Sequence, residues 1–530
     1  MNYLVIKIPL PSKGVLNLIG DWFFPLLFSG FMVARCIVYD ANRLLWVDEI
    51  LSWYPANASF GRMLSSTADT INGAPPLYFI LAWFWTAVFG KSSLALRLFS
   101  TFGTVAAICL MSIVLRRAYG RLAAAVAWLV AITDSEFLAM SGYARFHTLI
   151  LAEVALAILL YQRIVAQQRP SMRLLICNGC VHAAIVLTYY LGPLYSGTIL
   201  AGFLLSGLAF WRNPLRGSLS VVAGWLAFVP WIPVFIRHQS LAKPDVWIPV
   251  PTLEKLKTFY ANIETQFSGL VKPVVAFALA GFLIITLLAI FTERKPAIPT
   301  RRCTVRPHEL PLLILAPGLL LVPVAVYWVS VRPGGTSLFL YKYFVPCVLG
   351  STILFAHTAS RAIELCSLIP RSFYRHAVLT LLIMLLSVEV LRTGIDQVEA
   401  VSEHAIGTDP RPPDFPAVHA PGEPVVVEHI HEFLKMVYFS NDPRRYVFVA
   451  DQEVGLAEGP GGSANHKIMA AMGRHFPEFA GVKSTEDFYA SAHRFWLKPA
   501  GQWHTMRLAH NPEFVADPPE GGLLHFHRVE

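Results

Sequence analysis

Apolar runs long enough to cross a bilayer recur along this chain as far as residue 393, and no water-soluble core absorbs so many of them. A crossing segment needs about 20 apolar residues, wound as a helix, because hydrocarbon offers no partner to an unpaired backbone group. About eleven such runs can be marked, near 16–39, 98–115, 122–140, 147–161, 174–190, 194–211, 218–236, 273–291, 311–330, 343–357 and 377–393. Composition agrees, since 55% apolar and 15% charged residues with a mean hydropathy of +0.52 exclude an ordinary soluble domain. The expected fold is a polytopic α-helical membrane protein with about eleven transmembrane helices.

The net charge of +9 is spread in short clusters between the runs, which marks topology rather than a nucleic-acid surface. With a cytoplasmic N-terminus, the loops on that side carry sixteen basic residues in roughly 62 positions, among them Arg116, Arg117, Arg121, Arg163 and Arg169. The opposite loops carry twelve in roughly 118, the asymmetry that the positive-inside rule requires. This parity treats Ala74-Pro75-Pro76-Leu77-Tyr78 through Gly90 as an interfacial or re-entrant helix inside a long outer loop, 40–97, with Trp83, Phe84 and Trp85 at headgroup level. Lys7 and Lys13 precede an apolar stretch without a small-residue cleavage site, so a retained first span is expected.

Beyond residue 393 a Pro-rich linker, 394–422, leads to a polar segment, 423–530. There, short β-rich runs (Pro424 to Glu428, Arg445 to Ala450) alternate with helix-like stretches such as His466 to Phe476. A small extracytoplasmic α/β C-terminal domain is expected. The seven cysteines avoid this segment and imply no disulfide framework. Cys177 and Cys180 form a CxxC inside an apolar run with no second pair, and read as small helix-packing residues.

Chemistry concentrates at the outer surface. Asp48 and Glu49 follow the first span, where two adjacent carboxylates are expensive unless used. The same topology brings Arg97, the loop Ser141-Gly142-Tyr143-Ala144-Arg145-Phe146-His147, Arg332 and Lys342 to that surface. A carboxylate can take a proton from an acceptor hydroxyl, while guanidinium and ammonium groups hold an anionic leaving group such as a lipid phosphate.

The order of these elements resembles the GT-C glycosyltransferases. The carriers are the Asp-Glu after the first span, Ala74-Pro75-Pro76-Leu77-Tyr78, Gly90-Lys91-Ser92-Ser93-Leu94-Ala95-Leu96-Arg97, the basic loop Arg116 to Arg121, and Ser141-Gly142-Tyr143-Ala144-Arg145-Phe146. The likeness is greatest to the bacterial branch related to dolichyl-phosphate-mannose protein mannosyltransferases and aminoarabinose transferases. It is strong over roughly residues 40–165, and Tyr341-Lys342-Tyr343-Phe344-Val345-Pro346 looks like a late element of that family with Lys342 in place of Arg. The resemblance implies a GT-C-like transmembrane catalytic domain over 1–393. It implies inverting transfer of one sugar from a polyprenyl-phosphate donor to a lipid, glycan or protein acceptor, at the outer face of a cytoplasmic membrane. In that reading Asp48 is the general base, Glu49 positions acceptor or base, Arg145 and Lys342 bind donor phosphate, and Arg97, Tyr143 and His147 support them. Relatives carry Glu-Ala-Arg-Met-Tyr where this chain has Tyr143-Ala144-Arg145-Phe146-His147, so an acid is missing there, and Glu136 is a candidate substitute.

No metal or other cofactor is indicated. His429 with His431, and His525 with His527, show strand-like spacing but lack a third clustered ligand and read as surface residues. Arg35 reads as a helix-pairing or snorkelling residue. There is no nucleotide-binding Gly-rich loop, which suits a lipid-linked donor. A multi-pass transporter or lipid-linked sugar flippase is the alternative class, against which stand the absence of repeated halves and the position of the charges away from the midplane.

Overall fold

The computed structural model describes residues 13–131, 135–210, 215–242, 248–265, 308–332, 337–367, 422–457, 462–500, 507–508, 510–519 and 522–529. The expected runs at 273–291 and 377–393 and nearly all of the 394–422 linker lie outside them, as does the side chain of Glu136.

Helices dominate the first part. They are α1 (Lys13–Val38), α2 (Val47–Asn57), α3 (Phe60–Ala68), α4 (Leu77–Phe89), α5 (Ser93–Tyr119), α6 (Arg121–Ala131), α7 (Ser135–Ser141), α8 (His147–Val165), α9 (Met172–Thr188), α10 (Gly192–Phe210), α11 (Leu215–Trp225), α12 (Ile232–Ala242) and α13 (Leu253–Thr265). Three more follow, α14 (Leu310–Leu320), α15 (Val322–Ser330) and α16 (Cys347–Ser367). Among the described residues, five helical stretches are long and apolar enough to cross a membrane: Asp21–Val38, Ser93–Tyr119, His147–Val165, Leu215–Gln239 and Leu310–Ser330. The run expected at 174–190 is a 17-residue helix, Met172–Thr188. α4 has 13 residues, about 20 Å of helix, which is short for a hydrocarbon layer of about 30 Å.

α5 shows how local sequence sets these elements. Ser92 caps its start by accepting the Ala95 amide at 3.1 Å, and Arg116 and Arg117 sit in its last turn, where the helix dipole is negative. Gly120 ends it at φ +90°, a conformation open to glycine. The helix packs along α1 and α8, burying Ala107, Ile108, Met111, Val114 and Leu115.

The C-terminal segment forms one six-stranded sheet in the order β3-β2-β1-β4-β6-β5, with β1 Val425–Val427, β2 Tyr446–Ala450, β3 Val482–Ser484, β4 Arg494–Lys498, β5 Phe514–Ala516 and β6 Leu524–Arg528. β1 is parallel to β2 and β4, with Val425 opposite Tyr446 and Trp496, and β2 is parallel to β3; β6 runs antiparallel to β4 and β5. The three consecutive valines of β1 are all buried, as an inner parallel strand covered on both faces requires. One cover includes α17 (Ile430–Phe439) and α19 (Gly462–His475), with the six-residue α18 (Gln452–Ala457) between them in sequence; α20 (Thr485–Ser491) belongs to the other core.

This sheet unit reaches back to the 40–97 segment through α2. Val47, Ile50, Leu51 and Tyr54 recur at i, i+3, i+4 and i+7, form one face of that helix, and bury against Phe433, Phe476 and Phe479. The Tyr54 ring lies 4.9 Å from Phe479 and 5.3 Å from Phe476. A second tie is ionic, since Asp69 accepts from Arg474 at 2.9 Å and from His475 at 3.0 Å.

Candidate active site

Asp48 and Glu49 open α2, where acidic side chains suit the positive end of the helix dipole. Their surroundings differ. Glu49 is completely buried, and its carboxylate takes Arg97 in a two-pronged bond, Nε to Oε1 at 3.0 Å and Nη2 to Oε2 at 2.8 Å. It also accepts the Trp46 amide at 2.9 Å, closing the first turn of α2, and the Ala144 amide at 3.0 Å, which anchors the loop before α8. Arg97, in the second turn of α5, is equally buried and spends its remaining donors on the carbonyls of Asp40, Arg43 and Leu44. The Glu49–Arg97 pair thus ties four segments together: the end of α1, the start of α2, the start of α5 and the 142–146 loop. Glu49, expected beside the base, has no oxygen open to a substrate.

The packing around that knot is tight at Gly142. A Cβ there would enter the Asp40 carboxylate, which itself accepts from Arg35 at 3.0 Å. Arg35 also donates to Ser141 Oγ at 3.2 Å, so it pairs elements rather than facing a ligand.

Asp48 is accessible, with 27% of its side chain exposed. Its Oδ2 accepts the Lys342 ammonium at 2.7 Å and the Tyr143 hydroxyl at 3.1 Å. Arg145 lies alongside, its Nη1 donating to Asn72 Oδ1 at 2.6 Å and standing 3.3 Å from both the Asp48 carbonyl and Ser52 Oγ. Burial would push the Asp48 carboxyl up, but the charges of Arg145 and Lys342, with the hydrogen bonds from Lys342 and Tyr143, outweigh it and hold it far below the usual carboxylate range. Burial, reinforced by the Asp48 charge, pushes the Tyr143 phenol up, so it stays a neutral donor. An ionised carboxylate that solvent can reach, beside two cations, is an arrangement for taking a proton while holding an anion.

The remaining candidates divide clearly. His147 is buried in an aromatic wall, 4.6 Å from Phe146, stacked 6.0 Å from Tyr343, and with its ring 6.1 Å from that of Tyr143. Arg332 is exposed, and among the described residues it is not one of those brought to Asp48. His429 packs edge-on to His431 at 5.1 Å, and His525 is held between Asp517 and Glu423. Among the described residues no group of three His, Cys, Asp or Glu side chains stands together as a metal site. Two contributors escape the sequence reading: Asn72, which orients Arg145 and donates to the Leu51 carbonyl at 2.9 Å, and Ser52. Their signals are slight. Asn72 stands just ahead of Ala74-Pro75-Pro76, and Ser52 is one helical turn beyond Asp48.

Comparison with known proteins follows the same lines. Residues 73–236 match the family model described as dolichyl-phosphate-mannose-protein mannosyltransferase. The fold is similar to that of ArnT from Cupriavidus metallidurans bound to undecaprenyl phosphate, with a TM-score of 0.56 and 14% identity over 98% of this chain and 99% of that one. It is similar also to that of the same protein in the apo state, with a TM-score of 0.57, 14% identity and the same coverage. No curated protein sequence matches the chain. The match to the mannosyltransferase family model thus spans helices around the candidate site, within a fold similar to that of ArnT over nearly the whole length.

Proposed function

We propose that the chain is an inverting glycosyltransferase that moves a sugar from a polyprenyl-phosphate donor to a lipid, glycan or protein acceptor at the outer face of a cytoplasmic membrane. The sheet unit over 423–530 stands on the same side. The observation that carries this reading is Asp48 itself: ionised, reachable, and sharing its surroundings with Arg145, Lys342 and Tyr143. Support comes from the family match and from ArnT, whose structure holds undecaprenyl phosphate.

In the reaction the acceptor hydroxyl attacks the anomeric carbon from the face opposite the phosphate. The bond from that carbon to the phosphate oxygen breaks, the acceptor oxygen bonds to the carbon, its proton passes to Asp48, and the lipid phosphate departs with the electron pair. Arg145 and Lys342 stabilise the charge that develops on the leaving phosphate. Lys342 donates to Asp48 at 2.7 Å, and a carboxylate so stabilised is a weak base. An incoming phosphate competes for the ammonium, loosens that hold and raises the basicity of Asp48 when the acceptor needs it. Glu49 and Arg97 act by holding the four segments in register.

The test is transfer in proteoliposomes from a panel of radiolabelled polyprenyl-phosphate sugars, by wild type and Asp48→Asn. Label moving from one donor in wild type and not in the variant supports the reading. Equal transfer by both removes Asp48 as the base.

A further inference from the structure

We infer that the chain also binds the phosphate of an anionic phospholipid at the membrane surface opposite Asp48, in a notch between α1, α5 and α6. Arg116 follows Arg97 by nineteen residues along α5, which places it about 28 Å away, nearly the thickness of the hydrocarbon layer. There a cavity of about 20 Å³ is lined by Asp21, Pro25, Ser112, Arg116, Arg121 and Trp128.

Two donors that line the cavity lack an acceptor, although the Asp21 carboxylate lines it too. Trp128 is 1% exposed and Ser112 6% exposed, yet the indole N–H and the serine hydroxyl are buried with no hydrogen-bond partner. An indole nitrogen only donates, and leaving such a group unpaired is unfavourable. Asp21 is ion-paired with Arg116 at 2.8 Å and with Arg121, so two guanidiniums share one carboxylate and one positive charge is left over. Arg117, beside Arg116, adds to it. The notch is reachable, because half of the Arg121 side chain is exposed.

The space admits a single oxygen atom and not a whole anion. One phosphate oxygen therefore enters toward Trp128 and Ser112 while the others stay at the mouth against Arg121. A lipid fits better than free phosphate because the flank of α1 beside the notch presents Phe23, Leu26 and Leu27, each more than half exposed, for acyl chains to cover. Basic pockets between membrane helices suit anionic headgroups in this way.

The inference is independent of the proposed transfer reaction, and its test is native mass spectrometry of the purified full-length protein. Dioleoylphosphatidylglycerol, dioleoylphosphatidylcholine and inorganic phosphate are added separately, in a Lys342→Met background that weakens anion binding at the other surface. Phosphatidylglycerol is expected to be retained over phosphatidylcholine, and Trp128→Phe and Ser112→Ala, which keep the packing, are each expected to lower that retention by about tenfold. If a lone water fills the cavity, both lipids are retained equally and neither substitution matters, which overturns the assignment. Displacement of phosphatidylglycerol by an equal concentration of inorganic phosphate would make this a small-anion site, and overturns the lipid.

Discussion

Two carboxylates adjacent in sequence meet different surroundings here, and substitutions should tell them apart. Asp48→Asn keeps the shape but cannot take a proton at neutral pH, so turnover in proteoliposomes is expected to fall by about 10²- to 10⁴-fold with expression unchanged. Glu49→Gln should instead act through stability, since an amide cannot answer both prongs of Arg97 and leaves a buried guanidinium poorly paired, a loss of about 3–5 kcal/mol visible as a lowered melting temperature. The cations differ too. Arg145→Lys retains charge but not the planar fork, and is expected to slow transfer by about 30- to 1000-fold, whereas Lys342→Arg should be tolerated. The pH profile supplies a separate check. The Asp48 carboxyl is held low, so base function persists until well into acid; Lys342→Met removes part of that hold, the carboxyl rises, and the acid limb of the rate profile should move to higher pH. An unmoved limb would mean that Lys342 does not set the basicity of Asp48.

At the scale of elements, α2 is the piece on which the site depends, and its two faces explain what the sequence could and could not disclose. The recurrence of Val47, Ile50, Leu51 and Tyr54 was present in the sequence, but the aromatic partners that make it a face come from residues 433 to 479, far along the chain. Asp48, Arg145 and Lys342 were legible because charge at a membrane surface is costly and therefore conspicuous. Asn72 and Ser52 were not, because amides and hydroxyls are common and only the fold shows which of them meet a guanidinium. The burial of Glu49 was hidden for the same reason, since nothing local distinguishes a paired carboxylate from an exposed one. Tyr54→Ala should separate α2 from the sheet unit's helices at a cost of about 3–5 kcal/mol, measured by thermal unfolding in detergent. Gly142→Ala, by contrast, forces side chain into carboxylate and should disorder the loop that carries Arg145, with loss of transfer exceeding loss of stability.

The whole molecule joins a helical body to a sheet unit through the 40–97 segment, and the ionic part of that joint is sensitive to acid. Burial would raise the Asp69 carboxyl, but hydrogen bonds from Arg474 and His475 outweigh it and hold it below the usual range. A carboxyl lowered in the folded state contributes stability above its unfolded value and loses it as pH falls through the folded one. Contact between the two parts should therefore weaken in acid in wild type, and Asp69→Asn should abolish this acid-dependent component, as read by protease cleavage between residues 394 and 422. Topology has its own check. In a cysteine-free background, cysteines placed at the exposed positions Gln168 and Glu486 should label from opposite sides of the membrane. Labelling from one side would make α4 or another segment a crossing that the basic-residue count assigns otherwise.

Lys342 follows Asp48 by 294 positions, and that interval is also a stretch of time. At synthesis rates of about 5–20 residues per second, the acid leaves the ribosome some 15–60 s before its ammonium partner exists. Tyr143 and Arg145 emerge about a third of the way through that interval, and until Lys342 appears the Asp48 carboxylate has only them for company. Under the proposed role of Lys342 in holding donor phosphate, competence waits for the late Tyr341–Phe344 turn to close on a helix made nearly 300 residues before it.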